Sequence, residues 1–261
     1  MMTDRDDIAR RFAAICATAG VPVMQVYAQP FTAGQKADKS PVTEADERAE
    51  ALILEALARD FPGIPVLAEE SFAAGLCPKI EGDFVLVDPV DGTREFIEKN
   101  GEFTINIALI SSRRPVAGCV YAPALERIYL GGAGAWAGAL KPGDAFSLRA
   151  LAPISTREPR KGEKIAVMSR SHADEKTRAF AEAQGVTATV SAGSSLKFCL
   201  LAEGKADLYP RFGPTREWDT AAGHAVLDAA GGRVTDPQGE NFLYGKAETD
   251  YLNGPFVAWS R

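Results

Sequence analysis

FVLVDPVDGTREFIEKNGEFTINIALI, residues Phe84 to Ile110, is the stretch whose reading decides the fold. Phe84 to Val87 is an apolar run of strand length that stops at Asp88, Pro89, Val90, Asp91, Gly92 and Thr93. Two carboxylates therefore leave one strand end together. Pro89 sets its own φ and keeps Asp88 extended, while Gly92 permits close approach of the backbone, so the turn is stiff. Thr93 to Glu98 reads as a short helix whose first amides would face an anion held beside the two aspartates. Asp-Gly before an apolar segment is also an ordinary turn signal, so the stretch needs support from its neighbours. A calcium loop is excluded, because Pro89 and Val90 break the alternation of oxygen ligands that such a loop requires.

Upstream, Ile8, Phe12, Ile15, Ala19 and Val23 to Val26 recur at helical spacing, which predicts one helix over the first 28 residues with a break or kink near Gly20 and Pro22. Pro30 to Pro41 is a polar loop, and Thr43 opens a second helix in a pattern close to a capping box. Ala45, Ala49, Leu52, Ile53, Ala56 and Leu57 mark its apolar face, and Asp46 reads locally as part of the cap. After Pro62, Ile64 to Ala68 is a short buried strand that delivers Glu69 and Glu70, the second strand to end in paired carboxylates. Downstream, Pro115 to Tyr121 and Arg127 to Leu130 read as antiparallel neighbours, followed by a hairpin around Gly131 to Gly138.

Charges and prolines between Ala145 and Lys164 place a subdomain boundary near residue 155 within a single domain spanning residues 1–261. Beyond it, strands at Ile165 to Met168, Val186 to Val190 and Ala206 to Tyr209 alternate with helices at Ala173 to Gln184, Ser195 to Ala202 and Thr220 to Ala230. The fold class is α/β: an α+β half over residues 1–155 carries the carboxylate corner, and an α/β half over 156–261 contributes substrate contacts.

The composition, 261 residues with 46% hydrophobic and 25% charged, is that of a globular enzyme able to bury a sizeable core. A net charge of −6 gives no field to drive binding of nucleic acid or a membrane surface, so an anionic substrate needs local cations. Cys16, Cys77, Cys119 and Cys199 lack paired spacing and read as buried reduced thiols. A charged N-terminus and the absence of any 18-residue apolar run point to a cytoplasmic protein without an integral membrane segment.

The two histidines, His172 and His224, stand in no triad spacing with Ser or Cys. His224 reads as a packed helix residue, and His172 as either a substrate contact or a helix cap. What recurs is carboxylates at element ends: Glu69, Asp88, Asp91 and Asp219. Such hard oxygen ligands suit Mg²⁺, and a pair of such ions could activate water for phosphate ester hydrolysis without histidine. Thr93 hydrogen-bonded to Asp46 would orient or deprotonate that water.

DPVDGTREF, with VLAEES before it and EWDTAAGHA after it, resembles the inositol monophosphatase superfamily of lithium-sensitive, Mg²⁺-dependent phosphatases. KADKSPVTEADE, KNGEFTINIALI, SRSHAD and GSSLKFCLLAEGKADLYPRFGPT are similar to its bacterial 3'(2'),5'-bisphosphate nucleotidase branch. The resemblance implies a layered α-β-α-β-α sandwich. It implies that Glu69, Asp88 and the Val90 carbonyl ligate one Mg²⁺, that Asp88, Asp91 and Asp219 ligate a second, and that a third, weaker site uses Glu69 with waters. Asp46 and Thr93 become the water-activating pair, and the amides of Gly92 and Thr93 hold the phosphate. Ser194 or Ser195, Lys197 and Arg211 match the residues that hold the rest of the nucleotide. The implied substrate is adenosine 3',5'-bisphosphate, a by-product of sulfate assimilation, or its sulfated form. An inositol or sugar monophosphatase and a non-hydrolysing nucleotide-binding regulator are the rival readings. The resemblance leaves room for a peripheral position on the inner face of the cell membrane, although this chain shows no amphipathic anchor.

Overall fold

The computed structural model describes residues 4–29, 34–35, 41–42, 44–160, 162–169 and 174–261. Its helices are α1 (Arg5–Tyr27), α2 (Glu44–Asp60), α3 (Glu69–Ala73), α4 (Thr93–Ile97), α5 (Glu175–Ala183), α6 (Leu196–Ala202) and α7 (Glu217–Ala229). They cover two sheets. The first has seven strands running in spatial order through Val66–Ala68, Phe84–Asp91, Thr104–Ser111, Arg114–Ala122, Arg127–Gly131, Ala135–Ala139 and Leu151–Pro153. The second has five, in the order Ala188–Ala192, Ile165–Ser169, Leu208–Arg211, Phe256–Trp259 and Arg233–Thr235.

The two-residue period of the 84–91 strand explains the layering. Val85 and Val87 join Phe12, Val23, Ile53 and Leu57 in the core under α1 and α2. Phe84 and Leu86 face the other way, into the core formed with Phe198, Leu201, Trp218 and Val226 of α6 and α7. Ile105, Ile107 and Leu109 repeat the first face and Ala108 and Ile110 the second, so the strand is apolar on both sides. Helices α6 and α7 also pack on the second sheet, whose far face packs Ala166, Leu208 and Val257 against Phe180 of α5. The five layers are helix, sheet, helix, sheet, helix, as expected. The middle layer lies tight on the first sheet because Gly131 leaves room for it: a Cβ there would sit 2.4 Å from the Ala225 carbonyl oxygen.

Several local expectations change. Helix α1 runs uninterrupted through Pro22, because the buried Ala19, Gly20, Val23 and Val26 pack it along its length. The first described parallel strand is Val66–Ala68, shorter than expected. Leu52 is exposed rather than on the packed face of α2. Cys16, Cys119 and Cys199 are buried free thiols, but Cys77 is exposed. The Phe256–Trp259 strand inserts antiparallel between Leu208–Arg211 and Arg233–Thr235, making the second sheet mixed. Thr43 and His172, and with them the cap and contact read at those positions, lie outside the described residues.

Candidate active site

The 66–68 and 84–91 strands run parallel in register, Leu67 opposite Leu86 and Ala68 opposite Val87, so their carboxyl ends deliver Glu69 and Asp88 side by side. Asp88 shares the parity of Phe84 and Leu86, which turns it toward the middle helical layer. There Asp219, on the first turn of α7, accepts the Arg216 amide at 2.8 Å, the reciprocal half of a capping box. The ladder to the neighbouring strand shifts between Asp88 and Asp91, so both aspartates reach one corner. Gly92 follows in the left-handed region at φ 89°, and a Cβ there would meet Glu95, Ser194 and Phe103 at 3.2 to 3.4 Å.

These elements close around a cleft of about 310 Å³ lined by Glu69, Asp88, Val90, Asp91, Gly92, Thr93, Lys197, Arg211 and Asp219 among others. Burial, and then the charges of Glu69, Asp91, Asp219 and Asp46, push the Asp88 carboxyl well above the ordinary carboxylate range. Asp219 is pushed up in the same way by burial and by Asp91 and Glu69, against the opposing Arg216 amide. Four carboxylates thus sit close enough to Asp88 to oppose its ionisation, and among the described residues Asp88 Oδ1 is buried without a hydrogen-bond partner. A corner of this kind has the charge to attract cations. Among the described residues no three acidic, histidine or cysteine side chains stand as a group placed to hold a metal ion by themselves. Mg²⁺ takes few protein carboxylates and completes its shell with water and substrate oxygens, and the side chains here offer hard carboxylate oxygens. The donor set fits that ion.

Asp46 is buried on α2, near enough to act on Asp88. Thr93 lines the cleft, where its hydroxyl donates to the Val90 carbonyl at 3.4 Å. Ser194 and Ser195 also come to the corner, and Ser194 lines the cleft. Ser194, at φ 53°, donates its hydroxyl to Asp91 Oδ2 at 2.5 Å, and the Ser195 amide donates to the same oxygen at 2.8 Å. The Ser195 hydroxyl donates to the Asp219 carbonyl at 3.0 Å. Lys197 is buried against the Tyr209 ring, and burial lowers its ammonium from the ordinary value of 10.5 to about 8, with Arg211 adding to the effect. Arg211 lines the cleft and donates to the carbonyls of Gly213 and Pro214.

His224 is buried in α7, with Nδ1 3.0 Å from the Tyr244 hydroxyl and Nε2 3.3 Å from Asp228, as the packed reading requires. The sequence reading passed over Glu95, Thr104, Asn106 and Tyr209. Glu95 and Tyr209 line the cleft, and Asn106 stands across the ladder from Asp88. A polar Thr and Asn two residues apart in the apolar FTINIALI was the available signal, since two polar residues at that spacing share one strand face.

The model of the inositol monophosphatase family matches residues 4–258. The chain is 46% identical over 241 residues to the 3'(2'),5'-bisphosphate nucleotidase CysQ of Salmonella typhimurium, covering 91% of this chain and 94% of that protein. It is 45% identical, with the same coverage, to the protein of that name from Escherichia coli K12. Among solved structures, CysQ from Bacteroides thetaiotaomicron, described as a bacterial member of the inositol monophosphatase family, matches with a TM-score of 0.81 and 35% identity over 97% of each chain. Motifs, layered fold, carboxylate corner and relatives agree, and the chain belongs to the inositol monophosphatase family.

Proposed function

We propose that this protein is a Mg²⁺-dependent phosphatase that hydrolyses adenosine 3',5'-bisphosphate to AMP and phosphate, and its sulfated form by the same route. The observation that carries the reading is the cleft in which the carboxylates Glu69, Asp88, Asp91 and Asp219 share one lining with the cations Lys197 and Arg211. The names of the relatives that cover nine-tenths of the chain support the nucleotide substrate.

Glu69, Asp88 and the Val90 carbonyl would hold one ion, Asp88, Asp91 and Asp219 a second, and Glu69 with waters a weaker third. When bound, Mg²⁺ supplies Lewis-acid polarisation of the phosphoryl group and lowers the pKa of water. The protein's own groups do the rest. The amides of Gly92 and Thr93 hold the phosphoryl oxygens, and Asp46 with Thr93 orients the attacking water and receives its proton. Lys197 and Arg211 bind the phosphate that is retained, which holds the ester to be cleaved against the carboxylate corner. Subdomains 1–155 and 156–261 would thus divide the work, one holding metal and the other substrate.

A phosphate-release assay with purified protein and Mg²⁺ tests this, comparing adenosine 3',5'-bisphosphate, inositol 1-phosphate and a sugar phosphate. A kcat/KM for the bisphosphate well above the other two is the expected result. Preference for either monophosphate, or binding without turnover, would overturn it.

A further inference from the structure

Asn106 lies on the Thr104–Ser111 strand, directly opposite Asp88 in the antiparallel ladder, and is 1% exposed. A buried amide is costly unless its donors and acceptor are matched, and here all are. Its Nδ2 donates to Asp91 Oδ2 at 3.2 Å and to the Ser195 hydroxyl at 3.0 Å, and its Oδ1 accepts from the Thr104 hydroxyl at 3.0 Å. The orientation of the amide follows from its partners: a carboxylate only accepts, so the NH₂ group must face Asp91. Thr104 guards that orientation from behind. Asp91, which lines the cleft, therefore receives three donors on Oδ2, from Asn106, Ser194 and the Ser195 amide. Two of those donors belong to the turn that precedes α6 in the second half of the chain. Asn106 alone of the three comes from the first sheet, which also carries Asp91.

We infer that Asn106 is a positioning residue: by donating at once to Asp91 and to Ser195, it fixes the orientation of the Asp91 carboxylate and sets the 193–195 turn against the carboxylate corner. It acts through Asp91, one hydrogen bond behind the cleft wall. The inference rests on the proposed reading of Asp91 as a metal ligand. Its consequence is that the metal corner and the unit carrying Lys197 are registered to each other by a polar tie rather than by apolar packing alone. The bland alternative is that Asn106 only satisfies buried polarity, and the two make different demands on metal binding.

Two variants separate them. Asn106→Leu keeps the branching of the side chain and removes its hydrogen bonds to Thr104, Asp91 and Ser195. Thr104→Val is nearly isosteric, favours a strand, and removes the hydroxyl that meets the Asn106 amide oxygen and the Ser194 hydroxyl while leaving the bonds from Asn106 to Asp91 and Ser195 their donors. Mg²⁺ binding is measured by calorimetry without substrate, beside Tm and kcat at saturating Mg²⁺. Loss of a partner behind a metal ligand typically costs about 10- to 100-fold, so Asn106→Leu should raise the Mg²⁺ Kd by that factor and lower kcat. Thr104→Val should shift both in the same direction by about fivefold, the worth of one hydrogen bond. Wild-type Kd and kcat in either folded variant, including a lower Tm with both unchanged, overturns the positioning role. Thr104→Val keeps the test decisive if Asn106→Leu does not fold. A wild-type protein that binds no Mg²⁺ would instead refute the metal reading itself, so the two failures are distinguishable.

Discussion

Replacing Arg211 with alanine should impair hydrolysis of a bisphosphate nucleotide selectively. Arg211 ends the Leu208–Arg211 strand of the second sheet, across the cleft from the carboxylates. Of the five N–H donors on a guanidinium, Nε and Nη2 each give a bond to a carbonyl, of Gly213 at 3.3 Å and Pro214 at 3.2 Å, which fixes the fork in place. The donors that remain can grip a phosphate in a plane, as a lysine cannot. A hydrogen bond from a charged group contributes about 1.5 to 3 kcal/mol, and about 1.4 kcal/mol is tenfold. Arg211→Ala should therefore lower kcat/KM for adenosine 3',5'-bisphosphate by about one to two powers of ten. Inositol 1-phosphate has no second phosphate to lose, and its hydrolysis should change far less. Both substrates are assayed on the same preparation, with Arg211→Lys as a control that keeps the charge and loses the fork. An equal fall on the two substrates would show that Arg211 supports the local backbone through Gly213 and Pro214, and the argument from a retained phosphate would fail.

Asp219→Asn should remove most activity at any Mg²⁺ concentration, since it takes an anion from a corner built to hold cations; near-normal turnover at saturating Mg²⁺ would refute the ligand role. Thr93→Ala and Asp46→Asn should lower kcat by about 10²- to 10⁴-fold with calorimetric Mg²⁺ binding retained, and lost binding with normal kcat at saturating metal would make the pair structural. Burial holds the folded pKa of Lys197 at about 8, below its ordinary 10.5. Its ammonium is then lost as pH rises through about 8, and KM for the bisphosphate should climb there in wild type but not in Lys197→Gln. Between that pH and 10.5 the unfolded chain binds the extra proton, so this group should make the fold more stable as pH rises, which denaturant titrations at pH 8 and 10 can check. Li⁺ should inhibit at limiting Mg²⁺, and a flat titration would set this chain apart from the lithium-sensitive phosphatases it resembles.

The sequence by itself determined the carboxylate corner, because the features that make it are local. An apolar run ending in DPVDG sends two aspartates off one strand end, and Glu69 and Asp219 each stand at an element boundary that composition alone marks. Strand period and turn chemistry act over a few residues, so they are readable without coordinates. Packing set what lies beyond that range. Helix α1 passes through Pro22 because its buried face outweighs one missing hydrogen bond, and the Phe256–Trp259 strand takes its place in the second sheet only against partners distant in the chain. The same holds for the site. The motif marks Ser194 or Ser195 as a substrate contact, whereas nothing local shows that Asp91, about a hundred residues earlier, accepts from both or that Asn106 ties the two segments together. A buried hydroxyl or amide must find its partner wherever the fold puts one, and only the tertiary structure decides which residue that is.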